Sequence, residues 1–438
     1  MNVGKQYFMT WYVVILLMIF ARAGEGGDIV SNQTESVNQG PGVIEQKKMD
    51  IQNPATTVPF TVIPEVVSSS TSGTQGSTAE KKEESIDPLF IQPLVKIEPG
   101  RNDSNPVWSP QGTLIAFERS IGDKKEIIIA RRDGHVIQTV YFQLSENRGD
   151  MKFFFPGVYE EVSYNAGISW SPKEDRVVFM SNGGEGNYDL YLREISSKTT
   201  TTTVRLTDYK EKNGHAHWSP VGDSIIFVSG RTGQGDIYLI DLITHGLKRL
   251  TMGGKPYLYP QWSPDGKKVA MIHGSNENHD IYLIADVDRP LETLKALVTW
   301  PYDDLRPMWS PDGEKIAFYS NYNSSADPKI WSLIVIASDG SDPTSGNGLA
   351  AKVVAEDIVP DVERGPAWMA DSSRIVYVKN DKQGYNPIYV VDVAKKVSMH
   401  IRTDTKMNHD ISCSLDGTIA FRAQVDQWDQ VFTMRLKD

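Results

Sequence analysis

The sequence predicts an all-β fold, a seven-bladed β-propeller of four-stranded blades. Three observations predict it. A tryptophan-centred unit recurs seven times in the last four-fifths of the chain. Each unit alternates short β-branched and aromatic runs with Pro/Gly turns. No helical periodicity of useful length interrupts the pattern.

The units are NPVWSPQGTLIAF from Asn105, GISWSPKEDRVVF from Gly167, HAHWSPVGDSIIF from His215, YPQWSPDGKKVAM from Tyr259, RPMWSPDGEKIAF from Arg306, GPAWMADSSRIVY from Gly365 and DISCSLDGTIAF from Asp410. Their anchors are Trp108, Trp170, Trp218, Trp262, Trp309, Trp368 and Cys413, separated by 44 to 62 residues, a propeller-blade period once insertions are allowed. In each unit a first strand runs into the anchor and an SPDG-type turn follows. The KIAF-type run is the second strand, DIYLID (Asp236 to Asp241) exemplifies the third, and LKRLT (Leu247 to Thr251) the fourth. Such a unit cannot cover both its faces alone. Radial packing buries each sheet against its neighbours and leaves only short edges, so the tryptophans read as inter-blade core.

The seventh unit ends after VFTMRL (Val431 to Leu436) with three strands. PLVKIEPG (Pro93 to Gly100) resembles a fourth strand with no blade before it. It is expected to pair with the last blade and close the ring, making residues 89–438 one propeller.

Ahead of it, residues 24–88 contain one aromatic, Phe60, and runs such as SSSTSGTQGST. This composition buries too little apolar surface to offset ordering and reads as a disordered linker. Residues 1–23 read as a signal peptide: Lys5, the apolar run Phe8 to Phe20, then Ala21-Arg22-Ala23. The run is short for a span, which needs about 20 residues. The expectation is an exported, periplasmic or secreted monomer with no transmembrane span after cleavage.

The net charge of −11 argues against nucleic acid as a partner, since binding there needs a basic surface. One cysteine, Cys413, excludes an intrachain disulfide. It stands at a tryptophan position and reads as a buried substitute. No G-x-S-x-G elbow, P-loop or G-x-G-x-x-G after a strand is present.

Tandem WSPDG-x-x-IAF…DIYLID…RLT units resemble the TolB-type propeller repeat over residues 89–438. The resemblance implies the propeller fold. TolB is a periplasmic protein of the Tol–Pal envelope system, six-bladed, with a helix-and-sheet domain used for partner docking. This sequence departs from that pattern, with a low-complexity segment and seven units.

Two sets of residues are candidates for function. Loops joining fourth to first and second to third strands share one face, and that face is aromatic. It holds Phe153, Phe154, Phe155 and Tyr159 in an insertion after the first unit, and Tyr188, Tyr322, Tyr385 and Trp428 in second-to-third-strand loops. Exposed aromatics beside polar groups suit binding of an envelope or extracellular protein, or a glycan. The alternative is a metal-dependent polysaccharide lyase or hydrolase at the channel mouth. His215 and His217 form an H-x-H before WSP, with His409 at a matching position. The resemblance to oligogalacturonate lyases, seven-bladed propellers that hold a divalent metal through histidines and a glutamine, implies that chemistry. The first reading expects no cofactor. Asp189, Asp236 and Asp280 recur before the third strand, and a hydrogen bond within each blade explains them.

Overall fold

The computed structural model describes residues 84–122, 124–140, 165–183, 187–195, 203–274, 278–322, 330–341 and 352–437. The signal peptide, most of the linker, and Phe153, Phe154, Phe155 and Tyr159 lie outside them.

Turn chemistry sets the repeat. In SPDG-type corners the serine carbonyl accepts the N–H of the glycine three residues on, at 2.8 Å for Gly112, 2.9 Å for Gly266 and 2.8 Å for Gly313. These glycines take φ of 69°, 68° and 76°, a region closed to most side chains. The serine hydroxyl then accepts the N–H that opens the next strand, as from Leu114 to Ser109 Oγ at 2.9 Å.

The described chain is all-β apart from one short helix, Pro290–Thr293. Five sheets have four antiparallel strands each. In one, Asn213–Trp218, Ser224–Ser229, Asp236–Asp241 and Leu247–Arg249 lie side by side in chain order. The fifth and sixth repeats run together in a nine-stranded sheet. Val353–Val359 joins them, because it pairs with Trp331–Ala337 on one side and places Ile358 and Val359 against Arg374–Lys379 on the other.

The end strand is displaced from its expected place. Pro88–Pro93, not Pro93 to Gly100, pairs antiparallel with Trp428–Leu436. The last rung is Leu94 N–H to the Val431 carbonyl at 2.8 Å. There the Leu94 side chain turns inward, 5% exposed, and its carbonyl abuts Gly134 so closely that a Cβ would lie 1.9 Å away. The flanking prolines masked this strand in the sequence, yet an edge tolerates them. Ser85–Ile86, inside the stretch read as linker, pairs in parallel with His400–Ile401 of the sixth repeat.

The second strands supply the core. Phe117, Phe179, Phe227, Met271, Phe318 and Phe421 stand at one repeat position and are fully buried. The anchor tryptophans are buried too, between 2% and 8% exposed.

Candidate functional site

The first strand of five repeats carries a β-bulge three residues before its anchor. Register slips between Ser104 and Val107, Ala166 and Ser169, Gly214 and His217, Leu258 and Gln261, and Leu305 and Met308. The bulged residues take positive φ: Asn105 51°, Gly167 68°, His215 49°, Tyr259 52°, Arg306 58°, Gly365 81° and Asp410 53°. Backbone geometry is shared while the side chain changes from repeat to repeat.

These side chains meet. The His215 ring lies edge-on to Tyr259 with centroids 4.3 Å apart, and the Arg306 guanidinium lies 4.3 Å from the centroid of the same Tyr259 ring. Asn105 N–H donates to Asp410 Oδ2 at 3.2 Å, and Arg422 pairs with Asp410 at 2.7 Å. Glu118 accepts from Asn105 Nδ2 at 3.0 Å and Gly167 N–H at 3.1 Å, and pairs with Lys125 at 2.5 Å.

The sixth repeat breaks the pattern. Between Val359, opposite Val378, and Ala367, opposite Val376, seven residues loop out, Pro360 to Pro366. The third repeat has only His215 and Ala216 in that interval. An Asx turn shapes the excursion, with Asp361 Oδ1 accepting the Glu363 and Arg364 N–H groups at 2.9 and 2.8 Å. It reaches the first repeat, where Arg364 Nη2 donates to the Asn105 carbonyl at 3.1 Å. Gly365 allows the fit: a Cβ there would meet Met308 Cγ at 2.7 Å and Arg306 Cβ at 3.2 Å.

Burial and these charges retune the titratable groups. Burial, aided by Arg306, drops His215 to about 3. Burial, Arg306 and Arg364 drop His217 to about 4. Burial and Arg422 drop His409 to about 4. Burial and the Asp410 charge push Asp361 up to about 7. Glu363 is raised by burial and Glu118, while Asp410 is held low, against its burial, mainly by Arg422.

The three histidines do not form a metal site. His217 Nδ1 accepts the Trp262 N–H at 3.1 Å, which spends that lone pair and leaves the proton on Nε2. His409 Nε2 lies 2.9 Å from Asn386 Nδ2. Among the described residues no three His, Cys, Asp or Glu side chains gather as ligands. The donor set therefore does not fit a divalent ion.

Of the predicted aromatics, Tyr385 is exposed at 47%, with Lys406 Nζ 5.2 Å from its ring centroid. Tyr188, Tyr322 and Trp428 are half-buried, and Tyr322 packs edge-on to Tyr302 with centroids 5.3 Å apart. The recurring aspartates bond within their blades at two of the three positions. Asp189 takes Arg205 at 2.6 Å and Thr207 at 2.7 Å, and Asp236 takes Arg249 at 2.7 Å and Thr251 at 3.0 Å. Asp280 departs from this: Ala296 stands opposite Tyr282 where Arg249 stands opposite Tyr238. Cys413 occupies the anchor slot with its thiol 3.9 Å from the Ala367 carbonyl, and burial pushes it up to about 12.

Residues 158–349 match the TolB beta propeller domain family. The chain is a TolB-like propeller protein. A Tol-Pal system protein TolB of Francisella tularensis subsp. holarctica (strain OSU18) is 35% identical over 86 residues, and the match spans 19% of either chain. Among solved structures, an oligogalacturonate lyase in complex with manganese superposes with TM-score 0.56 at 13% identity, over 80% of this chain and 93% of that one. A puromycin-hydrolyzing peptidase of Mycobacterium tuberculosis gives 0.55 at 14% identity, over 78% of this chain and 53% of that one. These likenesses show the shared propeller fold.

Arg306, Arg364, Asp361 and Glu363 were not among the predicted site residues of this TolB-like chain. Two signals pointed to them: variation three residues before the anchor, and a 59-residue spacing between Trp309 and Trp368.

Proposed function

We propose that this TolB-like chain is an exported, noncatalytic binding protein. In this reading it is a seven-bladed propeller whose ring is completed by Pro88–Pro93 on the last sheet. It takes an envelope or extracellular protein, or a glycan, at the mouth ringed by the second-to-third-strand loops. The observation that carries the reading is backbone strain at the bulges. A side chain in the left-handed region costs on the order of 1 kcal/mol. Glycine avoids that cost at Gly167 and Gly365, whereas His215, Tyr259 and Arg306 bear it. The bulge serves folding; the large side chains placed on it serve recognition. The similarity to a Tol-Pal system protein supports an envelope setting.

The manganese-bound lyase shares the fold, but the histidines a metal reading would use do not fit an ion, so no cleavage step is derived through one. The test immobilises the chain and challenges it with a glycan array and with envelope extract under cross-linking. The expected result is capture by the wild type and loss of capture in Tyr385→Ala/Trp428→Ala at unchanged secondary structure. Release of unsaturated sugar products from polysaccharide would overturn the noncatalytic reading.

A further inference from the structure

Arg306 and Arg364 each keep one buried N–H without an acceptor, although the carboxylates of Asp361 and Glu363 act on both through space. Arg306 is 6% exposed, its guanidinium stacks on Tyr259 at 4.3 Å, and its Nε–H is buried with no acceptor. Arg364 gives Nη2 to the Asn105 carbonyl at 3.1 Å, and its Nε–H is also buried with no acceptor. The contact of Gly365 with Arg306 places the two residues side by side. Three of the surrounding acids have other partners as well. Glu118 pairs with Lys125, Asp410 pairs with Arg422, and Asp361 Oδ1 caps its own turn. Two acceptors nearby are buried and unused, Asp361 Oδ2 and Asn105 Oδ1.

A buried polar atom without a hydrogen bond is costly. Four such atoms from three repeats around one channel describe the complement of a ligand. Two N–H donors match the two oxygens of a carboxylate. The free acceptors match an O–H or N–H beside it. Asp361 and Glu363 set the charge limit, since a dianion would meet their repulsion.

We infer that the channel binds an organic carboxylate carrying a hydrogen-bond donor next to it. The carboxylate lies against Nε of Arg306 and Arg364, and the donor is taken by Asp361 Oδ2 or Asn105 Oδ1. This rests on the reading of the mouth as a binding surface. The carboxylate comes from a small hydroxy acid or from the free end of a polypeptide.

Calorimetric titration of the full chain tests it with three probes: L-lactate, tetra-alanine with a free C terminus, and tetra-alanine amidated at that end. The expected result is one-to-one binding of lactate or free-acid tetra-alanine, and none of the amide. Lactate alone assigns a small acid; the free-acid peptide alone assigns a chain terminus. Arg306→Met and Arg364→Gln weaken binding at least tenfold. Melting supplies the second readout. It shows that both variants are folded, so that the loss of binding is read on a native chain. No binding of either acid at millimolar concentration overturns the proposal. So does undiminished binding in Arg306→Met, or tighter binding of inorganic phosphate than of both acids. Those failures leave capture in the array and cross-linking assay untouched, so the two readings fall separately.

Discussion

The indole Nε1 of Trp309 donates to the Gln261 carbonyl of the preceding repeat at 3.2 Å. The same bond joins Trp170 to Val107 at 3.2 Å, Trp262 to His217 at 3.1 Å and Trp368 to Met308 at 3.1 Å. The anchor therefore has two roles. Its ring fills the space between sheets, and its N–H fixes their spacing through a backbone atom that any sequence supplies. Trp218 departs from this, turning its Nε1 to its own Gly222 carbonyl at 3.0 Å, and Trp108 Nε1 has no acceptor.

Trp309→Phe keeps most of the ring and strands the Gln261 carbonyl, so it destabilises by about 1–2 kcal/mol beyond the lost volume. Trp108→Phe removes a buried donor that bonds to nothing and costs less. Urea unfolding of both variants checks the difference. Equal midpoints would mean that ring packing alone carries the anchor.

The outer edge of the last sheet is covered only by Pro88–Pro93. Deleting Pro88 to Leu94 bares Trp428–Leu436 and removes the buried Leu94 side chain, which lowers the melting temperature of the whole chain and promotes edge-to-edge association. Deleting residues 24–82 leaves melting unchanged. Identical melting of the two deletions would refute a stabilising role for this pairing.

Much of the fold was legible in the sequence because each unit repeats the same local physics: Pro and Gly in the corner, a phenylalanine nine residues past most anchors, a tryptophan between sheets. The edge strand of the last sheet was misplaced by five residues because PLFIQP begins and ends in proline, while VKIE shows a cleaner alternation. The site was harder to read. Backbone left-handedness at Arg306 leaves no compositional trace, and the meeting of Arg364 with Asn105 joins residues 259 apart. His215 and His217 drew attention as a pair, but on opposite sides of a bulge they meet different neighbours, Tyr259 and the Trp262 backbone.

The buried histidines each work against the folded state in acid. In the folded state His215 lies near 3, and His217 and His409 near 4, all below the ordinary 6.5. A lowered histidine contributes stability that is full above the unfolded value and is lost as pH falls from 6.5 toward 4. Each loses roughly 1.4 kcal/mol per pH unit in that window. Asp361, raised to about 7, acts oppositely: its contribution is full below the ordinary 3.8 and is lost as pH rises toward 7. Asp304 and Glu363, also raised by burial, act in the direction of Asp361, so the test follows one histidine through the slope of melting temperature against pH. His217→Gln keeps an acceptor for the Trp262 N–H and does not titrate, so it flattens the slope. An unchanged slope in that variant would show that His217 is charged in the fold.

The excursion Pro360 to Pro366 can be removed without removing the fold. Other repeats span the same interval with two bulge residues, as His215 and Ala216 do, and strand pairing resumes on both sides of it, Val359 to Val378 and Ala367 to Val376. Replacing the seven residues by Asn-Gly restores that shorter bulge with residues that tolerate the left-handed region. It deletes Asp361, Glu363 and Arg364 together and leaves Arg306 on Tyr259. The folded chain keeps its secondary structure, and its melting temperature stays within a few degrees of the wild type, because most of what is lost is a charged loop rather than core. Carboxylate binding disappears with the second guanidinium. Capture at the mouth weakens if the partner touches the excursion and persists if the loop aromatics alone hold it, so an array profile of this variant beside Tyr385→Ala/Trp428→Ala divides the mouth into its charged and aromatic halves. Collapse of the fold in the shortened chain would show that Arg364, through its 3.1 Å bond to Asn105, ties the sixth repeat to the first.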